Sequence, residues 1–314
     1  MSTGAAPSGC AAVVFAYHNV GVRGLAVLLS LGLDVRLVVT HADEPAETIW
    51  FRSVAELARL QGIAAITPAD PNAPEAVAQV SACAPDWLFS FYYRRMLGAE
   101  LLAIPRRGAF NVHGSLLPRY RGRAPVNWAV LHGERETGAS LHRMVLKPDA
   151  GGLVDQEAVP ILPNDTAHEV FGKVTCAAER LLLRAVPALL DGTAQETPLD
   201  LARGSYFGGR KPEDGRLDPD SGAWSTHNLI RAVAPPYPGA FFVLPAGRLG
   251  VLGSWYRGER ARGPEPRIYW EQGACWLDCR DGERLRLTGL ALDGQPLDEP
   301  AFRTHFGAPE LTLT

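Results

Sequence analysis

The sequence predicts an α/β protein: a doubly wound parallel sheet followed by a smaller C-terminal β-rich, barrel-like domain. Three observations carry this. Short β-branched or apolar runs alternate with runs of helical period over the first 190 residues, the pattern of successive βαβ units. Beyond residue 209, short strand-like runs sit between Gly, Pro and Asp turns. The 314 residues, 46% hydrophobic and 21% charged, are also enough chain for roughly two cores.

Residues 12–17 form the first apolar run, and His18, Asn19 and Gly21 read as a turn before a helix over 25–31. A second strand follows at 34–40, a helix at 51–61 with Val54, Leu57, Ala58 and Leu60 at helical spacing, and a third strand at 63–67. The alternation continues through a helix at 74–82, a strand at 87–91, a helix at 97–103 and a strand at 109–113. From Ser115 the texture changes: LLPRYRGRAP sets Pro118, Gly122 and Pro125 among Arg119, Arg121 and Arg123, a structured loop. Strands at 139–146 and 152–161 come next, then a helix capped near Asp165 that runs to about Leu190. The expected division is a flexible tail over 1–10, a first domain over 11–190, a linker over 191–209 and a β-rich domain over 210–314.

The bulk chemistry excludes several classes. A formal charge of −3 and a pI near 6.3 advertise no polyanionic partner. No apolar run reaches the roughly 20 residues of a membrane span, and the first ten residues lack a signal-peptide pattern, so a cytoplasmic protein without membrane insertion is expected. The five cysteines are scattered, which argues against a disulfide framework. Cys275 and Cys279 have no second Cys/His pair at ligand spacing, so they read as strand thiols and no metal is expected. Signatures of dinucleotide, P-loop, serine-hydrolase and zincin sites are missing.

What remains is Asn111-Val112-His113 at a strand end, with Asp149 in a downstream Pro-Asp-Ala-Gly-Gly loop. Residues i and i+2 of a strand share a face, so Asn111 and His113 converge on one centre at the carboxyl end of a strand, where such sheets bind ligands. An amide donor, an imidazole and a carboxylate suit acyl transfer. By spacing alone, a polar fixture of the strand end is the competing reading. His142, on a strand with alternating apolar neighbours, reads as structural, and His18 at the first strand end lies outside the reacting group.

The run FNVHGSLLPRYRGRAPVNWAVLHGERETGASLHRM followed by DAGG resembles the signature of the folate-dependent formyltransferases. VVFAYHNVGVRGL, SFYYRRML, GRKPEDGRLD and IRAVAPPYPGAF make it most similar, within that family, to the enzymes acting on UDP-4-amino-4-deoxy-L-arabinose, the formyltransferase half of a bifunctional lipid A modification enzyme. The resemblance runs to about Phe242. It departs from the family pattern at Pro219, which follows Arg-Leu-Asp where relatives usually carry Trp. It implies a Rossmann-like catalytic domain, 10-formyltetrahydrofolate as co-substrate, a UDP-linked amino sugar as acceptor, and a role in polymyxin resistance. It further implies His113 in proton transfer, Asn111 as transition-state donor and Asp149 as the carboxylate supporting His113. The formyl-folate site would fall on Arg95, Met96, Leu97, Arg123, Val145, Leu146, Lys147 and Pro148.

Methionyl-tRNA formyltransferase shares that motif, but it needs basic surfaces to hold phosphates. Here residues 41–50 hold Asp43, Glu44 and Glu47 without Lys or Arg. Residues 210–314 carry 13 Lys and Arg against 14 Asp and Glu, so a nucleic-acid partner is disfavoured. Other nucleotide-linked amino sugars stay open as acceptors. A non-catalytic binding module would be marked by loss of the trio, and the trio is complete.

Overall fold

The computed structural model describes residues 10–44 and 47–313; most of the expected tail, residues 1–9, lies outside the described residues. Two compact units interleave along the chain: Met1–Pro125, Thr137–Val159 and Gly172–Phe207 form one, and Val126–Glu136, Pro160–Phe171 and Gly208–Thr314 form the other.

The first unit is built on a sheet with the order β3-β2-β1-β4-β5-β7-β8. Its elements are β1 (Ala11–Ala16), α1 (His18–Ser30), β2 (Asp34–Val39), α2 (Val54–Leu60), β3 (Ala65–Ile66), α3 (Pro74–Ala82), β4 (Trp87–Phe91), α4 (Ala99–Ala103) and β5 (Gly108–His113). After β6 (Arg121–Gly122) the chain forms α5 (Pro125–Leu131), which falls almost wholly in the second unit, then β7 (Glu136–Arg143), β8 (Leu153–Pro160), α6 (Ala167–Asp191), whose first residues also fall there, and β9 (Tyr206–Phe207). Strands β1 to β5 pair in parallel, whereas β7 runs antiparallel to β5. The central strands β1 and β4 are buried at every position, which is why they read as continuous apolar runs.

Alternation along each strand sorts the two faces. Leu88 and Ala109 join Val77, Val80, Leu97 and Leu101 in one core cluster on the α3/α4 side. Phe91 turns to the other side, where α1 approaches so closely that a Cβ on Gly24 would meet the Phe91 ring at 2.6 Å. That contact corrects the expected turn at 18–21: helix α1 begins directly at His18, and its glycines serve packing rather than chain reversal.

Two further differences concern local geometry. Pro125 occupies the first turn of α5, a position where its missing N–H costs nothing, so the end of the arginine loop is helical. At α6 the cap is a reciprocal box one residue beyond Asp165: Glu169 N donates to Thr166 Oγ1 at 3.3 Å, and Thr166 N donates to Glu169 Oε2 at 2.7 Å. The 191–209 segment contains β9, which pairs with β6, and Thr197, which bridges to Leu153.

The second unit is dominated by an antiparallel sheet with the order β10-β11-β14-β13-β12-β16. Its strands are β10 (Ala240–Leu244), β11 (Gly247–Arg260), β12 (Arg267–Glu271), β13 (Ala274–Asp278), β14 (Glu283–Leu292), β15 (Gln295–Pro296), which pairs with β14, and β16 (Glu310–Thr312). Helices α7 (Ala223–Val233) and α8 (Glu299–Phe306) contribute Ile230 and Phe302 to a core with Phe242, Leu249, Ile268, Leu277 and Leu285. Cys275 and Cys279 are buried in or beside this core, and burial pushes both thiols up to about 12. Among the described residues no cluster of His, Cys, Asp and Glu has the makings of a metal site, and no helix is long and apolar enough to cross a membrane.

Candidate active site

The site lies at the carboxyl end of β5, where Ala109, Asn111 and His113 share one face of the sheet. His113 is buried, and both of its ring nitrogens face acceptors. Nε2 donates to the carbonyl of Tyr120 at 2.8 Å, and Nδ1 stands 3.5 Å from Asp149 Oδ1. Asn111 lies opposite His142 across the β5–β7 pairing, and its Nδ2 is 3.1 Å from His142 Nε2. Asp149 Oδ1 is also 3.5 Å from that Nε2, while Oδ2 accepts the Gly122 N–H at 2.8 Å.

Electrostatics hold Asp149 ionised. Burial alone would raise its carboxyl, but the His113 and His142 imidazoles and the Gly122 N–H together set it well below the usual carboxylate range. Asp149 and Tyr120 both sit at positive φ, 49° and 56°, a conformation that Asp tolerates but that a bulky Tyr adopts only when its surroundings impose it.

Those surroundings are visible. Tyr120 N donates to Ser205 Oγ at 2.8 Å, its ring stacks on Phe207, and Arg121 N and Arg123 N donate to the Ser205 and Phe207 carbonyls. At Gly122, with φ +97°, a Cβ would collide with the Phe207 carbonyl. Residues 205–207 therefore brace the carbonyl that holds His113. Ser140 and Gln156 brace the preceding loop: Gln156 Nε2 donates to Ser140 Oγ at 2.8 Å and to the Leu117 carbonyl at 2.9 Å, and Ser140 Oγ donates to the Ser115 carbonyl at 2.6 Å.

The residues expected to read folate fall into three places. Arg95, Met96 and Leu97 follow β4. Leu97 is only 2% exposed and belongs to the core, whereas Met96 is 53% exposed. Two side chains fix this turn. Neutral His41 accepts the Arg94 N–H at 3.0 Å, its ring held down to about 4 by burial and by Arg94 and Arg95. Asn72 donates to the Met96 carbonyl at 3.0 Å and accepts the Gly98 N–H at 2.6 Å.

Val145, Leu146, Lys147 and Pro148 form the loop between β7 and Asp149. Val145 and Leu146 are exposed, and the neighbouring Met144 packs on the cluster that contains Leu97. Arg123 projects an exposed guanidinium from the end of β6. Large apolar side chains left open beside backbone-rich turns suit a flat heteroaromatic ligand, whose edge backbone groups can read. The chain thus brings Asn111, His113 and Asp149 together, and adds His142, Asn72 and His41 to what sequence reasoning found. His142, expected to be structural, touches Asn111 and Asp149 at once.

Residues 28–186 match the family described as formyl transferase, and residues 210–302 match its C-terminal domain. Among solved structures, the chain is similar to an N-formyltransferase from Helicobacter canadensis in complex with folinic acid and dTDP-3-aminofucose. That match has a TM-score of 0.69 and 19% identity, covering 88% of this chain and 98% of that one. WlaRD, a sugar 3N-formyl transferase solved in the presence of dTDP and 5-N-formyl-THF, matches with a TM-score of 0.68 and 17% identity over 91% and 97% of the two chains. A 4-N formyltransferase from Francisella tularensis matches with a TM-score of 0.62 and 18% identity over 76% and 94%. At these identities the likeness is one of fold.

Proposed function

The chain belongs to the formyl transferase family, and from that premise we propose that it moves the formyl group of 10-formyltetrahydrofolate to the 4-amine of UDP-4-amino-4-deoxy-L-arabinose. The observation that carries the chemistry is the meeting of an amide, an imidazole and an ionised carboxylate at one strand end. The choice of acceptor rests on the long sequence motifs around that site.

In this reading the unprotonated amine attacks the formyl carbon directly, without a metal or a covalent enzyme intermediate. An Asn111 N–H meets the formyl oxygen as it gains charge. His113 takes the proton that the attacking nitrogen sheds and returns it to the folate N10 as the C–N10 bond breaks. Because Nε2 is engaged by the Tyr120 carbonyl, the Nδ1 edge beside Asp149 is the one left for this transfer. Asp149 stabilises the imidazolium that forms. Met96, Val145, Leu146 and the turn held by Asn72 would receive the pterin, and Arg95, Arg123 and Lys147 the anionic remainder of the folate.

The reading takes residues 11–190 as the catalytic domain, 191–209 as a linker and 210–314 as the C-terminal domain, and places the protein in the cytoplasm, in lipid A modification and polymyxin resistance. A second acceptor, another nucleotide-linked amino sugar, is favoured by the dTDP-3-aminofucose bound to the Helicobacter canadensis structure. An assay with 10-formyltetrahydrofolate against UDP- and dTDP-linked amino sugars and initiator Met-tRNA, with and without EDTA, separates these. Preferred formylation of UDP-4-amino-4-deoxy-L-arabinose, unaffected by EDTA, supports the proposal. Preference for a dTDP sugar moves it to the second acceptor, and efficient, steeply salt-dependent formylation of tRNA overturns it.

A further inference from the structure

His142 is 2% exposed, and its ring makes two hydrogen bonds. The Arg143 carbonyl, 2.9 Å from Nδ1, can only accept, so Nδ1 carries a proton. In a neutral imidazole Nε2 is then an acceptor, and its neighbour at 3.1 Å is the donor-only Nδ2 of Asn111. The Arg143 backbone is itself anchored, its N–H donating to the Gly152 carbonyl at 2.8 Å and its side chain paired with Glu196. The charge of Asp149, 3.5 Å from the same Nε2, is already met by the Gly122 N–H and faced by His113 Nδ1.

We propose that His142 is a positioning residue: it accepts one N–H of Asn111 and so fixes which end of the amide, and which remaining N–H, faces the reacting centre. Among the described residues, His142 is the only hydrogen-bond partner of the Asn111 side chain. Without it the amide is free to turn over, placing a carbonyl oxygen where a donor must meet the developing oxyanion. The inference rests on the formyl-transfer reading for what Asn111 does, but not for the bond that orients it.

Two measurements on the whole chain test it. Long-range ¹⁵N correlation spectra at about pH 8 should show His142 neutral and protonated on Nδ1. The Asn111 side-chain amide should carry one proton that exchanges slowly in the wild type and rapidly in His142→Leu. A neutral His142 protonated on Nε2, or an Asn111 amide indifferent to the substitution, overturns the proposal whatever the enzyme's substrate.

In turnover, His142→Leu should lower kcat roughly 10- to 100-fold with the KM for formyl-folate unchanged, as a misplaced reacting group does. His142→Gln, whose Oε1 can accept the same N–H, should regain most of that loss. In an Asn111→Ala background the Leu substitution should change kcat less than about twofold. An equal loss in both backgrounds, or a change confined to KM, overturns the positioning role. Wild-type turnover by Asn111→Ala would instead refute the catalytic reading, while the spectra still decide the bond.

Discussion

Asp149→Asn separates the chemistry of the site from its architecture. Asparagine is nearly isosteric, its Oδ1 can still accept the Gly122 N–H, and it tolerates the left-handed φ of 49° at this position better than most residues. The loop should therefore stay in place while its charge is removed. At 3.5 Å from His113 Nδ1, a unit charge in a surrounding of effective dielectric about 20 attracts an imidazolium by about 5 kcal/mol. Most of that stabilisation exists only while the ring is protonated, so its loss falls on the transition state and on kcat, on the order of 10³-fold. Single-turnover formyl transfer, read beside formyl-folate affinity and thermal unfolding, measures all three consequences.

The expected result is a collapsed rate with folate affinity and fold retained. A rate within about threefold of wild type would mean that the charge contributes almost nothing where it should be worth most, and that Asp149 does not support His113. Acid unfolding reads the same charge through stability. A carboxyl held below its unfolded value of about 3.9 stabilises the protein above that pH and loses the contribution as pH falls further. The Asn variant should accordingly lose less stability than wild type below about pH 4.

Asn111→Ala removes one preorganised donor and should cost about 10²- to 10³-fold in kcat while folate still binds; near-normal turnover in folded protein would refute its role. Asn72→Ala frees the Met96 carbonyl and the Gly98 N–H, so the KM for formyl-folate should rise roughly tenfold with little change in kcat, and an unchanged KM would dissociate that turn from folate. His227, buried between Ser254 and the Pro163 carbonyl, is held down to about 4 chiefly by burial, so its contribution is complete above about pH 6.5 and is lost as pH falls toward 4. Urea unfolding at two pH values should show His227→Gln sparing about 3 kcal/mol of that acid loss, and a loss as large as wild type would contradict the buried neutral ring.

Legibility in the sequence followed how local each feature is. β1 and β4 were readable because central parallel strands are buried on both faces and so become unbroken apolar runs. The start of α1 was not, because whether Gly21 and Gly24 make a turn or a close packing contact depends on Val54 and Phe91, which lie far along the chain from them. Helix α5 was hidden by Pro125, which marks loops as readily as first helical turns. The pairing of Asn111 with His113 needed only the two-residue period of one strand. The pairing of Asn111 with His142 needed the antiparallel register of β5 on β7, a long-range fact that no window of sequence contains. The bracing of Tyr120 by residues 205–207 escaped for the same reason, since it depends on the pairing of β9 with β6.

The most direct test follows a ¹³C-labelled formyl carbon from 10-formyltetrahydrofolate in the presence of UDP-4-amino-4-deoxy-L-arabinose, with wild-type protein and with His113→Ala. The label should move to the 4-amine of the sugar in the wild type, and transfer should fall to near background in folded His113→Ala. Label reaching water as formate, or transfer at equal rates with and without the imidazole, would contradict the proposed transfer.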